Sequence, residues 1–120
     1  MHRKGSDPEN MQPEDFLCDF CHNHWSEARP MIEGHQGSLI CRQCINAAFT
    51  AVVLAEAGID SAFANTTCNV CLEQRGGTDP YWQSPLIDTA CICQRCLMQA
   101  VETLEEDPEY NFVRPGGKPA

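Results

Sequence analysis

Eight of the nine cysteines in this 120-residue chain fall into four CxxC pairs, and no other feature restricts its possible folds so severely. Cys18 and Cys21 form the first pair, Cys41 and Cys44 the second, Cys68 and Cys71 the third, Cys93 and Cys96 the fourth. In each set of four, 19 to 21 residues separate the two pairs. Thiolate pairs at this spacing suit a closed tetrahedral cation site. The expectation is one structural Zn²⁺ per set, two per chain, held by Cys18, Cys21, Cys41 and Cys44 and by Cys68, Cys71, Cys93 and Cys96.

Size supports metal. Each set with its following helix spans about 40 residues, where an apolar core alone seldom suffices and a metal or disulfides must help. The opening Met1–Pro8 has no apolar stretch of the kind a secretory signal needs, and no window approaches about 18 uninterrupted apolar residues. A reducing, cytoplasmic setting is therefore expected, in which these cysteines bind metal and are not bridged.

The formal charge is −9. Eight thiolates with two Zn²⁺ take it to about −13. Such a surface repels a phosphate backbone, and the eight Lys and Arg residues form no patch, which argues against nucleic-acid binding.

Residues 1–14 read as a disordered polar tail. The first module, 15–58, opens on the knuckle Cys18-Asp19-Phe20-Cys21, where Phe20 is expected to pack on the module's own helix. Met31-Ile32 and Ser38-Leu39-Ile40 then read as a small β-hairpin. A helix follows from Cys41 to Ala57, stopped by Gly58. Its opening turn carries two ligands, so the positive end of the helix dipole faces the thiolates. It is apolar nearly all round, and a 40-residue module cannot cover such a helix alone. After a linker at 59–67, the second module (68–107) repeats the first. The shift is 50 residues at the knuckle and 52 at the second ligand pair, the extra two lying in the hairpin. Its helix shows a stripe of Leu97, Ala100, Val101 and Leu104 and ends at Asp107-Pro108. Residues 108–120 read as a flexible tail.

Cys91 aligns with the apolar Leu39 and reads as a buried free thiol. His22, His24 and His35 lie near the first site, but four cysteines already in register leave them as solvated loop residues.

Cys18-Asp19-Phe20-Cys21, then Ile32-Glu33-Gly34, then Ile40-Cys41-Arg42-Gln43-Cys44-Ile45 resemble the N-terminal four-cysteine zinc-binding domain of the ClpX unfoldase. The first repeat matches over residues 18 to about 52. The second keeps the ligands, Ile92 and Leu97, but has Val70 for the aromatic. The resemblance implies a treble-clef finger (knuckle, β-hairpin, helix) that dimerises through its helices and recognises adaptors and some substrates. The chain contains no GxxxxGK[ST] motif, so the likeness does not extend to the ATPase.

A dimerising finger that occurs twice in one chain suggests an intramolecular pseudo-dimer, with Phe49, Val52 and Val53 against Val101 and Leu104. The fold class expected is small, α+β and zinc-stabilised, as a monomer with an internal pseudo-dimer or a homodimer. The function expected is a non-catalytic, adaptor-like protein-interaction module whose partner belongs to Clp-type protease machinery or its substrates. Trp25, Met31, Tyr81 and Trp82 are the candidate contact residues, or else they cap the zinc sites. Tyr110-Asn111-Phe112-Val113 reads as a docking peptide or an idle end. Two other functions compete: a redox-active or redox-sensing CxxC protein, and a nucleic-acid-binding finger.

Overall fold

The CxxC at 41–44 turns an extended strand directly into a helix, and the same corner recurs at 93–96. In the computed structural model, which describes residues 1–116, β1 (Met31–Glu33) pairs antiparallel with β2 (Leu39–Cys41), and β3 (Tyr81–Gln83) with β4 (Cys91–Cys93). Met31 lies opposite Cys41 and Tyr81 opposite Cys93, so the internal repeat holds at the level of register. At both corners the first helical N–H, of Arg42 or Gln94, donates to the carbonyl of the proline before the hairpin, Pro30 or Pro80.

The first helix, α1 (Arg42–Phe49), continues through a wider π turn at Thr50–Leu54, and α2 runs Gln94–Glu106. With the 52-residue shift the two helical stretches cover the same span. The first does not reach Ala57: the chain breaks at Glu56, which takes the left-handed conformation (φ 51°) that the sequence assigned to Gly58.

One apolar cluster runs through both repeats. Phe49 and Val52 from the first helical stretch and Val101 and Leu104 from α2 are buried in it, with α1 packed on α2, while Val53 is half-buried at its edge. Each repeat also touches the other's hairpin, α2 meeting β1 and the π turn meeting β3. At the crossing, His35 N–H donates to the Val70 carbonyl (2.8 Å) and the Ser84 hydroxyl to the Phe20 carbonyl (2.5 Å). Phe20 and Val70 are equivalent knuckle positions, so each knuckle is pinned by the other repeat's hairpin. The approach at Gly34 leaves no room for a side chain: a Cβ there would lie 2.7 Å from Val70 Cγ1 and 2.8 Å from its carbonyl.

Phe20 does not serve its own helix alone. It is fully buried and stacks on Trp82 of the other repeat, with ring centroids 6.0 Å apart. Tyr81 and Trp82 are correspondingly largely interior, 7% and 9% exposed. The Tyr81 hydroxyl donates toward the Thr66 carbonyl (3.0 Å) and accepts from Arg75 N–H (2.8 Å), closing the start of the second repeat. Phe63, in the stretch expected as a plain linker, stacks on Tyr81.

Both ends expected as tails make contacts. Arg3 donates to Asp15 Oδ1 from Nε (3.1 Å) and Nη2 (2.7 Å), while Gln12 N–H reaches Oδ2 (3.0 Å). At the other end, Arg42 donates to the carbonyls of Tyr110 (2.6 Å) and Asn111 (3.2 Å) and lies over the Phe112 ring. Phe112 is buried, and Arg114 pairs with Glu105 while covering Phe49. The C-terminal segment through Gly116 thus covers part of the helix pair, and the proposed docking peptide 110–113 is engaged by its own chain. Residues 117–120 of the expected tail lie outside the described residues.

The backbone N–H of Gln12 and then the Arg3 guanidinium hold the Asp15 carboxyl below the usual range for an aspartate. A depressed carboxyl contributes above its ordinary pKa and is lost as pH falls through the lower native value. Asp15→Asn should therefore free residues 1–14 at neutral pH, read as faster limited proteolysis there with the zinc content unchanged. Unchanged cleavage would show that Asp15 does not hold the segment.

Candidate metal centres

The structure gathers the eight predicted sulfurs into two groups, Cys18/Cys21/Cys41/Cys44 and Cys68/Cys71/Cys93/Cys96, each with all ligand atoms within 4.8 Å of one another. The knuckle supplies the first pair of each group. The second pair comes from the strand–helix corner, Cys41 and Cys93 ending their strands and Cys44 and Cys96 sitting in the first helical turn.

The spacing fits a tetrahedral dication. Zn–S bonds of about 2.3 Å imply sulfur–sulfur edges of about 3.8 Å, and Cys18–Cys44 and Cys21–Cys41 stand 3.8 and 3.7 Å apart. A disulfide needs about 2.05 Å, and all nine cysteines are free.

Protons alone leave such a cluster in conflict. In the first site the nearness of Cys18 and then Cys44 pulls Cys41 down to about 4, while Cys44, facing Cys18 and then Cys41, is pushed far up. In the second, the nearness of Cys93 and then Cys96 lowers Cys68, and Cys93 is pushed up to about 12 chiefly by Cys68. Four sulfurs this close cannot all be anionic without a cation among them, and a dication removes the conflict.

Backbone amides already point at the sulfurs. Cys18 Sγ accepts from Phe20 N–H and Cys41 N–H, both at 3.3 Å; Cys68 Sγ accepts from Val70 N–H and Cys93 N–H, both at 3.4 Å. The knuckles reach this geometry by the same strained step, a left-handed His22 (φ 61°) or Leu72 (φ 63°) just after the second ligand. Asp19 Oδ2 accepts from Leu39 N–H (2.7 Å), and Asn69 Oδ1 from Cys91 N–H (2.8 Å), tying knuckle to hairpin in each repeat.

Residues 17–53 match the family model of the ClpX C4-type zinc finger. The first repeat is thus similar to the ClpX C4-type zinc finger. The second repeat lies outside the matched residues, and its kinship rests on the repeated register, sulfur group and amide contacts given above. Neither a curated protein nor a solved structure matched the chain. The chain is thus a small zinc-stabilised α+β fold with two tandem four-cysteine sites of this ClpX-like kind.

No histidine joins either group among the described residues. Cys91 also stays outside: it is buried on β4 opposite Gln83, and burial pushes its thiol up.

The two zinc sites differ in a way that spacing could not show. Beside the first, Asn23 Nδ2 donates to Cys21 Sγ (3.3 Å). At the equivalent position of the second stands Glu73, which pairs with Arg75 (2.7 Å) and Arg95 (2.9 Å). Two guanidiniums held by Glu73 stand beside the second cluster, against the single Arg29 in the cleft over the first, and cations fixed beside an anionic zinc–thiolate cluster favour keeping it assembled. A chelator should strip the first site faster, by about tenfold, with alkylation at Cys21 and Cys44 preceding that at Cys71 and Cys96. The reverse order would contradict this account of the asymmetry.

No described helix is long and apolar enough to cross a membrane.

Proposed function

We propose that the chain is a non-catalytic, adaptor-like protein-interaction module of the cytoplasm, whose partner belongs to Clp-type protease machinery or its substrates. What supports the reading is the closure of both metal sites. Four sulfurs fill each tetrahedron and leave no position for a zinc-bound water, and they tie up the thiols a redox CxxC would need free. The match of residues 17–53 to the ClpX-type finger adds the class of partner. The net charge of −9 works against nucleic acid.

The test is capture by the immobilised zinc-loaded chain from cell extract, beside an insulin-reduction assay. A discrete protein partner retained by the zinc form and lost on chelation, with insulin reduced only at the background rate, is the expected result. Catalytic insulin reduction, or retention of nucleic acid in place of protein, would overturn the reading.

A further inference from the structure

Pairing of the repeats creates two clefts related by the internal repeat, each between one hairpin's end and the other repeat's knuckle and helix. They have diverged. The cleft over the second zinc site is lined by Glu33, His35, Val70, Arg95 and Gln99, and Arg95 is already tied to Glu73. The cleft over the first zinc site, about 280 Å³, is lined by Phe20, Ala47, Trp82, Pro85 and Leu86, with Arg29 at its side. Ala47 stands where the other cleft has Gln99, and Phe20 where it has Val70. Leu86 is 70% exposed and extends the apolar wall.

Arg29 is the unexplained member. Its Nε is shut off from solvent without a hydrogen-bond partner, and its side chain makes no ion pair or hydrogen bond among the described residues. Arg29 thus lines the cleft with no partner on its guanidinium among the described residues, and a carboxylate that enters there can accept from it through two oxygens.

We propose that this cleft docks an extended segment of a protein partner that presents a large apolar side chain next to an Asp or Glu. The apolar side chain lies against Trp82, Pro85 and Leu86, and the carboxylate meets Arg29. This rests on the protein-interaction reading above and adds to it one docking site per chain, since the polar sister cleft offers neither an apolar wall nor a free guanidinium. The chain's strong negative charge repels acidic bodies at long range. The partner segment therefore carries its acid locally, within neutral or basic surroundings.

The test uses the full zinc-loaded chain with Trp25→Phe, so that Trp82 alone reports. The probes are the acetylated and amidated peptide Lys-Ser-Gly-Leu-Asp-Leu-Gly-Ser-Lys and its Asn counterpart. Saturable change in Trp82 emission is expected, with the Asp peptide about tenfold tighter. Arg29→Gln should erase that preference, and Leu86→Ser, at an exposed position that cannot unfold the chain, should weaken both peptides. Equal affinity for the two peptides, no saturable binding to either, or a preference that survives Arg29→Gln would overturn the proposal. So would self-association abolished by Leu86→Ser, which would make the occupant a second copy. Protein capture that persists in Arg29→Gln and Leu86→Ser would refute the cleft while leaving the interaction reading intact.

Discussion

Chelation of zinc at neutral pH is expected to abolish the cooperative thermal unfolding of this chain. Structural zinc contributes roughly 10–16 kcal/mol in finger peptides, against a net stability of about 5–15 kcal/mol for ordinary domains. Losing either ion therefore exceeds what the rest of the molecule supplies. The cost extends to both repeats because they share one apolar cluster and pin each other's knuckles through His35 and Ser84. Cys44→Ser, which spoils only the first site, should therefore melt the second repeat as well. Circular dichroism and amide NMR of that variant provide the check. A second repeat that keeps dispersed amide signals would show that the repeats fold independently.

The second large effect concerns Phe20. Removing a fully buried aromatic typically costs 3–5 kcal/mol, or about that here, and Phe20→Ala additionally deletes the stack on Trp82 across the repeat boundary. The equivalent Val70 is half-buried, and Val70→Ala should cost only about 1–2 kcal/mol. Chemical denaturation of the zinc-loaded variants distinguishes them. A double-mutant cycle between Phe20→Ala and Trp82→Leu should return a coupling of about 0.5–1.5 kcal/mol. Equal costs at positions 20 and 70, with no coupling, would place the aromatic pair outside the energetics of repeat pairing.

The ligand groups were legible in the sequence because a zinc site constrains local spacing, and local spacing is what a sequence displays. The hairpins followed for the same reason: Pro30 and Pro80, and the apolar pairs beside them, sit at fixed distances from the ligands. The pairing of repeats was foreshadowed by a first helix too apolar for a module of its size. What the sequence concealed depends on partners far away along the chain. Nothing local to Phe20 shows that its neighbour is Trp82. Tyr110 and Phe112 look like the end of an idle tail until Arg42, 68 residues from Tyr110, is seen bonded to its carbonyl. The N-terminal stretch misled for a related reason, since its polar composition masks the Arg3–Asp15 clasp. The helix end was misplaced because Glu56, and not a glycine, takes the left-handed turn. Finally, the unequal charge beside the two zinc sites depends on Glu73 gathering Arg75 and Arg95 from different elements.

The whole account depends on two cations, each enclosed by one complete set of sulfurs. Native mass spectrometry with thiol alkylation before denaturation tests it most directly. The account predicts two zinc ions per chain, no disulfide, and no alkylated cysteine other than Cys91. A chain that carries fewer than two zinc ions, or whose CxxC sulfurs are found bridged or freely alkylated, would contradict it.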